Sequence, residues 1–322
     1  MSSPAYVRNN GATPYYCYHR SSLSVRLIIN AVISSGMKIT PDCVPCLMRR
    51  VLFQAKLLEN GCEFEAVGAA LKAYADGYRE GRNSAEVATE VHRAAYDVMG
   101  KDPYVKMKED ADRIAGEYLS RVEEYVESSD DRFSAAVRVA VIGNIMDFGV
   151  SLSSPEEFRN VFNDLLSQGI GSDDTERLKE LLSKARSVLY FFDNCGESQF
   201  DKMLIREIRR MGVRVVGVVR GERILNDVTV EDAVRIGLDK EMDRIISTGV
   251  FAIGAVLSKA GNDLKDELGK SDLIICKGMA NYESLSDQKT DIPKAFILRT
   301  KCAPVAKSLG VPEGINVVRV TE

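Results

Sequence analysis

Three oxygen-bearing side chains stand where two short apolar runs end. Leu189-Tyr190-Phe191-Phe192 passes directly into Asp193-Asn194-Cys195-Gly196-Glu197, and the apolar run 213–219 is followed, one loop later, by Asn226-Asp227. A carboxylate and an amide oxygen at one strand end, joined by a second carboxylate from the next, place hard ligands on one side of a divalent ion and leave the other side for water and substrate. Gly196 lets the backbone turn. The amphipathic pattern beginning near Ser198 predicts a helix whose N-terminal N–H groups face an anion. A single Asp or Asn at such a turn is ordinarily an N-cap, so the case for chemistry rests on several strand ends converging. Lys277 follows Leu273-Ile274-Ile275-Cys276 and precedes Gly278 and Asn281. Its ammonium is expected to enter the same crevice and hold a phosphate or carboxylate as a point charge; the competing reading is a lysine snorkelling from a strand end.

With His19 and His92 the only histidines in 322 residues, a metal site must be built mainly from carboxylate and amide, which favours Mg²⁺ or Mn²⁺. A different chemistry is suggested by Cys43 and Cys46. They lie three apart at a helix start after Pro41, where the helix dipole favours thiolate, a pattern that suits disulfide exchange or half of a four-ligand metal site. A second close pair is missing, and a buried structural pair is the competing reading.

These residues need elements to position them. From Cys43 to about Glu127 the period is helical: Leu47, Val51, Leu52, Ala55 and Leu58, then Val67, Leu71 and Ala75, then Ala88, Val91, Ala95 and Val98 recur at spacings of three and four. Asn83-Ser84 offers a cap, and Gly100-Lys101-Asp102-Pro103 a stop. We therefore expect a helical domain over 37–133, preceded by a segment 1–36 that reads as a frayed extension or an over-long start before Met37. Residues 134–150 are ambiguous. Val137, Val139 and Val141 alternate as in a strand, whereas Ala136, Ala140 and Gly143 keep a helical spacing that would put Asn144 and Asp147 on one face. Residues 151–184 read as an inserted helical connection.

Beyond them the rhythm changes. Short β-branched runs at 188–192, 213–219, 244–247, 273–276, 295–298 and 316–320 are mostly separated by helix-length segments, including 199–211, 229–236 and 250–268. The expected fold is α/β: a helical N-terminal domain plus a Rossmann-like α/β/α three-layer domain over 134–322 with a mostly parallel sheet. Ligands in such sheets lie beyond the carboxyl ends of the strands.

Composition narrows the partners. A net charge of −4 offers no basic field for a phosphate backbone, and no stretch approaches the about 18 apolar residues of a spanning helix. Neither nucleic acid nor membrane is an expected partner. Seven cysteines, an odd number, suggest reduced thiols in a cytoplasm.

Several blocks together resemble a known family. Asp-Asn-Cys-Gly-Glu (193–197), Ile-Leu-Asn-Asp-Val-Thr-Val-Glu-Asp-Ala (224–233), Lys-Gly-Met-Ala-Asn-Tyr-Glu (277–283), Gly-Asn-Ile-Met-Asp-Phe-Gly (143–149) and Asp-Pro-Tyr (102–104) are similar to the signature blocks of the damage-control phosphatases, or domain of unknown function 89. Cys-Val-Pro-Cys (43–46) resembles the archaeal and bacterial branch. The resemblance implies a phosphatase for small phosphorylated metabolites that depends on a divalent metal (Mg, Mn, Co or Ni). It implies metal binding by Asp193, Asn194 and Asp227, a substrate pocket lined by Asn144, Asp147, Glu197, Lys277 and Asn281, and a helical 134–150. Cys195 stands where a small residue such as Ala or Ser is expected, and its thiol would make the site sensitive to oxidation. Asp193 and Lys277 are the expected catalytic residues. The second Asp that haloacid-dehalogenase-type phosphatases place two residues after their nucleophile is replaced by Cys195, which favours metal-activated water over attack by Asp193. The alternatives are an S-adenosylmethionine-dependent carboxyl methyltransferase, which lacks support from a Gly-rich loop, and a non-catalytic metabolite-binding protein.

Overall fold

The computed structural model describes residues 37–146 and 157–322. The segment 1–36, the pocket candidate Asp147 and the first part of the 151–184 connection lie outside the described residues.

The chain opens with α1 (Cys43–Leu57), α2 (Glu63–Gly77) and α3 (Ser84–Met99), which bury one stripe each against a shared core containing Val51, Ala55, Ala66, Ala70, Val87 and Val91. The cap at Asn83 forms: its side chain accepts from the N–H of Ala85 at 2.9 Å and of Glu86 at 3.2 Å, and Gly100 ends the helix. The helical run then changes partners. α4 (Val105–Glu117), α5 (Leu119–Glu127) and α6 (Arg132–Gly143) contribute Ile114, Val122 and Val137 to a second core shared with one face of the sheet. Helix α6 buries Val137, Val139, Ala140 and Val141 alike, so it is apolar nearly all round. That is why neither period could be read from its sequence.

The remainder alternates. α7 (Phe158–Ser167), β1 (Ser172–Asp173) and α8 (Thr175–Leu182) lead into β2 (Ser187–Phe191), α9 (Glu197–Arg210), β3 (Arg214–Val219), α10 (Val230–Arg235) and β4 (Arg244–Ser247). α11 (Asn262–Leu268), β5 (Leu273–Lys277), α12 (Gly278–Leu285), β6 (Lys294–Arg299), α13 (Ala303–Leu309) and β7 (Asn316–Thr321) complete the chain. The seven strands are ordered β1-β7-β6-β5-β2-β3-β4, and every neighbouring pair is parallel except β6 with β7. The two-residue β1 has no periodic signature and was not expected within the connection.

Both faces of the sheet are covered. Val188, Tyr190, Val215 and Ile275 point into the core beneath α6 and α9, while Leu189, Phe191, Val216 and Ile274 pack with residues of α11, α12 and α13. Covered parallel strands must be apolar on both sides, which explains the unbroken runs in the sequence. Each large side chain so buried contributes about 1.5–3 kcal/mol.

The helix expected over 250–268 is a correction. Only Leu257–Lys259, as a 3₁₀ turn, and α11 are helical there. Phe251 and Ile253 are drawn instead into the core of α1–α3: the Ile253 N–H donates to Thr89 Oγ1 at 2.9 Å and the Arg93 guanidinium lies 3.8 Å from the Phe251 ring centroid. Tertiary burial wins over local period. No helix among the described residues is long and apolar enough to cross a membrane.

Candidate active site

The strand register sets the geometry. Phe191 is level with Val218 on β3 and Cys276 on β5, so two residues further Asp193 stands between Arg220 and Gly278. An antiparallel bridge between Asn194 and Asp227 brings the second carboxylate to the same place, closed by the Val228 N–H donating to the Asp193 carbonyl at 2.9 Å. The turn is tight. Gly196 has φ 81°, a Cβ there would lie 2.8 Å from Met146 Cε, and its N–H donates to Asp112 Oδ1 at 2.6 Å. Gly278 has φ 73°, and a Cβ on it would sit 1.8 Å from Asp193 Oδ2. That glycine makes room for the acid.

Asp193, Asn194 and Asp227 line the floor of a cleft of about 450 Å³. Its walls come from the start of α1, from α3, from the loops carrying Leu225 and Ile253, and from the beginnings of α12 and α13. The walls are largely apolar, with Arg49, Arg50 and Lys301 among the charged groups that border them.

Arg220 ties the floor together. Its Nε donates to Asp227 Oδ2 at 2.5 Å, one terminal nitrogen donates to Asp193 Oδ1 at 3.4 Å, and the other donates to Asn281 Oδ1 at 3.0 Å. The sequence reading gave this arginine no role. The signal was available, because Arg220 follows the run 213–219 as directly as Lys277 follows its own. Asp193 Oδ2 accepts from Asn144 Nδ2 at 3.2 Å and from Asn194 Nδ2 at 2.8 Å. Burial pushes the Asp193 carboxyl well above its usual range, the charges of Asp227 and Glu197 push it further, and Arg220 and Lys301 oppose them.

The other expected pocket residues stand behind this floor. Lys277 does not enter the cleft: its Nζ donates to Glu197 Oε1 and Asp201 Oδ1, both at 2.6 Å, and to the Ala140 carbonyl at 2.9 Å. It is fully buried, as are both acids. Glu197 Oε2 in turn accepts from Asn144 at 2.9 Å and Asn194 at 3.0 Å, so the two clusters are joined through amides. Asn281 is a backbone clamp, its Nδ2 donating to the carbonyls of Phe192 at 2.9 Å and Lys277 at 2.7 Å. Asp201 and Tyr190 complete the cluster, the phenol donating to Asp201 Oδ1 at 2.8 Å, while Asp201 Oδ2 is buried without a hydrogen-bond partner. Burial raises Asp201 to about 7 despite the pull of Lys277. Asp201 was legible too, four residues after Glu197 on one helix face.

Cys195 departs from expectation. Its thiol is fully buried and pushed well above the ordinary value by burial first and by Asp112 next, which makes it inert rather than oxidation-sensitive. Cys43 and Cys46 line the cleft, one turn apart at the start of α1.

Asp193, Asp227, Glu197 and Asp201 are buried acids; Arg220 bonds the first two, Lys277 bonds the last two, and the buried Arg50 borders the same cleft. No group of three His, Cys, Asp or Glu side chains forms a metal cluster among the described residues. The donors that could hold a cation at the cleft are the two carboxylates and the amide oxygen of Asn194, whose nitrogen is turned to Asp193 and Glu197.

The damage-control phosphatase ARMT1-like domain matches residues 39–317. A damage-control phosphatase of Archaeoglobus fulgidus is 40% identical over 291 residues, which cover 89% of this chain and 100% of that protein. Another, from Pyrococcus horikoshii, is 31% identical over 282 residues, covering 86% and 96%. A crystal structure of a DUF89 family protein from Pyrococcus horikoshii superimposes with a TM-score of 0.78 at 30% identity, covering 87% of this chain and 98% of that one.

Proposed function

The chain belongs to the damage-control phosphatase ARMT1-like family, and we propose that it is a phosphatase of small phosphorylated metabolites that works with a divalent metal at Asp193, Asn194 and Asp227. The observation that carries the reading is the meeting of these three side chains on the cleft floor. An all-oxygen donor set suits a hard or intermediate ion. When bound, the ion would supply charge neutralisation at a phosphoryl oxygen and a more acidic water.

The chain's own residues do the rest. Arg220, Asn144 and Asn194 hold Asp193 by both oxygens, so its carboxylate is fixed as a ligand and would have to break those bonds to attack phosphorus. Water is therefore the preferred nucleophile. Lys277 holds Glu197, and through it the amides of Asn144 and Asn194, in one arrangement; it acts by positioning and not by touching substrate. The apolar walls exclude water from the ester and strengthen the electrostatics within. Six free cysteines among the described residues fit a reducing cytoplasm.

The test is phosphate release from p-nitrophenyl phosphate and a panel of phosphorylated metabolites with Mg²⁺, Mn²⁺, Co²⁺ or Ni²⁺, compared with a chelated sample. Release that needs one of these ions is expected. Equal release with chelator present would remove the metal from the proposal, and no release at all would remove the phosphatase.

A further inference from the structure

The chemistry proposed above leaves Cys43 and Cys46 unused. They occupy the first and fourth positions of the 15-residue α1, are partly exposed, and both line the cleft, with Cys302 lining it from the start of α13. Helical positions three apart hold their Cα atoms at about 5 Å. A disulfide spans about 4.4–6.8 Å between Cα atoms, so the pair can close without moving the helix. The Cys43 and Val44 N–H groups donate to the Thr40 and Pro41 carbonyls at 3.0 and 3.1 Å, so the chain enters α1 through a tight turn that holds Cys43 beside Thr40. The Thr40 hydroxyl lies 3.6 Å from Cys43 Sγ and can donate to a thiolate there. Arg49 and Arg50 lie one turn beyond Cys46 along α1 and border the same cleft.

We propose that Cys43 and Cys46 are a reversible thiol–disulfide site that exchanges with a disulfide-bearing molecule reaching the cleft, Cys43 attacking and Cys46 resolving. The thiolate of Cys43 attacks one sulfur of R–S–S–R, forming a mixed disulfide and expelling the first RS⁻. The thiolate of Cys46 then attacks the Cys43 sulfur, expelling the second. Two electrons pass to the partner disulfide, and the two protons given up by the cysteines end on the two released thiols. The order follows from the surroundings. Cys43 opens the helix with the Thr40 hydroxyl beside its sulfur, whereas burial raises the Cys46 thiol against the pull of Arg50 and Arg49 and raises Cys302 to about 12, which disfavours attack by either of them.

The site is tested on the full chain with oxidised glutathione, followed by alkylation and mass spectrometry. The wild-type chain is expected to lose two hydrogens in mass, with Cys43 and Cys46 protected from alkylation and Cys302 still alkylated after unfolding. Cys46→Ser should stop at one glutathione carried on Cys43, and Cys43→Ser should acquire glutathione on Cys46 at least about tenfold more slowly. Full alkylation of both cysteines after the oxidant, or a disulfide joining either of them to Cys302, would overturn the assignment. The wild-type measurement stands whether or not a variant folds.

Discussion

Two clusters of charge share the carboxyl end of this sheet and differ in what they face. Asp193 and Asp227 line the cleft floor with Arg220 bonded to both, whereas Lys277 lies behind it under α6, bonded to Glu197 and Asp201 of α9. Each set begins one residue past an apolar run, so position along the strand does not separate them. Parity does. Leu273 and Ile275 point into the core under α6 and α9, and Lys277, two further on, continues that face. Phe191 and Val218 point to the opposite face, and Asp193 and Arg220 continue theirs. A strand end thus delivers one side chain to the ligand and its neighbour to the scaffold.

The comparison predicts that variants of the two clusters fail differently. Asp193→Ala should lower metal-dependent phosphatase activity by at least about a thousandfold, about 4 kcal/mol of transition-state stabilisation, while its urea midpoint stays at or above wild type, because the variant no longer buries a carboxyl against the charges of Asp227 and Glu197. A collapse of stability instead would place Asp193 with the scaffold. Lys277→Met should do the reverse in kind, costing about 3–5 kcal/mol in urea unfolding by leaving Glu197 and Asp201 without their cation. Unchanged stability there would erase the distinction. Gly278→Ala sharpens it, since the added Cβ would sit 1.8 Å from Asp193 Oδ2 and displace that acid. About 10–100-fold in activity and about 1–3 kcal/mol in stability should be lost, read by steady-state kinetics and thermal melts of the same sample.

How far the sequence discloses this arrangement follows from the same geometry. The six apolar runs and the capped helix after Asn83 are local signals, and each forms within a residue or so of its expected place. Asp193, Asn194 and Asp227 were legible because a turn between strand and helix needs few distant partners. The direction of Lys277 was not, since it depends on α6 lying across the sheet. The loop at 250–256 was misjudged because Phe251 and Ile253 answer to the core of α1–α3 rather than to their own period. Arg220 is an omission of a different sort: its position was visible, but its bonds to two acids on separate segments required the fold.

The helical layer supplies the smallest and most local prediction. His92 is buried on α3, at the cleft wall, with Nδ1 3.2 Å from Gln54 Oε1. Burial, with the charge of Arg50 second, lowers its pKa from an ordinary 6.5 to about 3. The unfolded chain therefore takes up a proton as the pH falls through 6.5, and the folded chain does not until about 3. Stability from this group is present above 6.5 and drains as the pH drops between those values, at about 1.4 kcal/mol per unit. His92→Gln removes the titration. Between pH 7 and pH 5, urea unfolding of the wild type should lose about 2 kcal/mol more than the variant does, a difference assigned to His92 because every other titrating group is common to both. Equal losses would mean that His92 carries its proton in the folded state, and the wall of the cleft would then be a more polar surface than its burial describes.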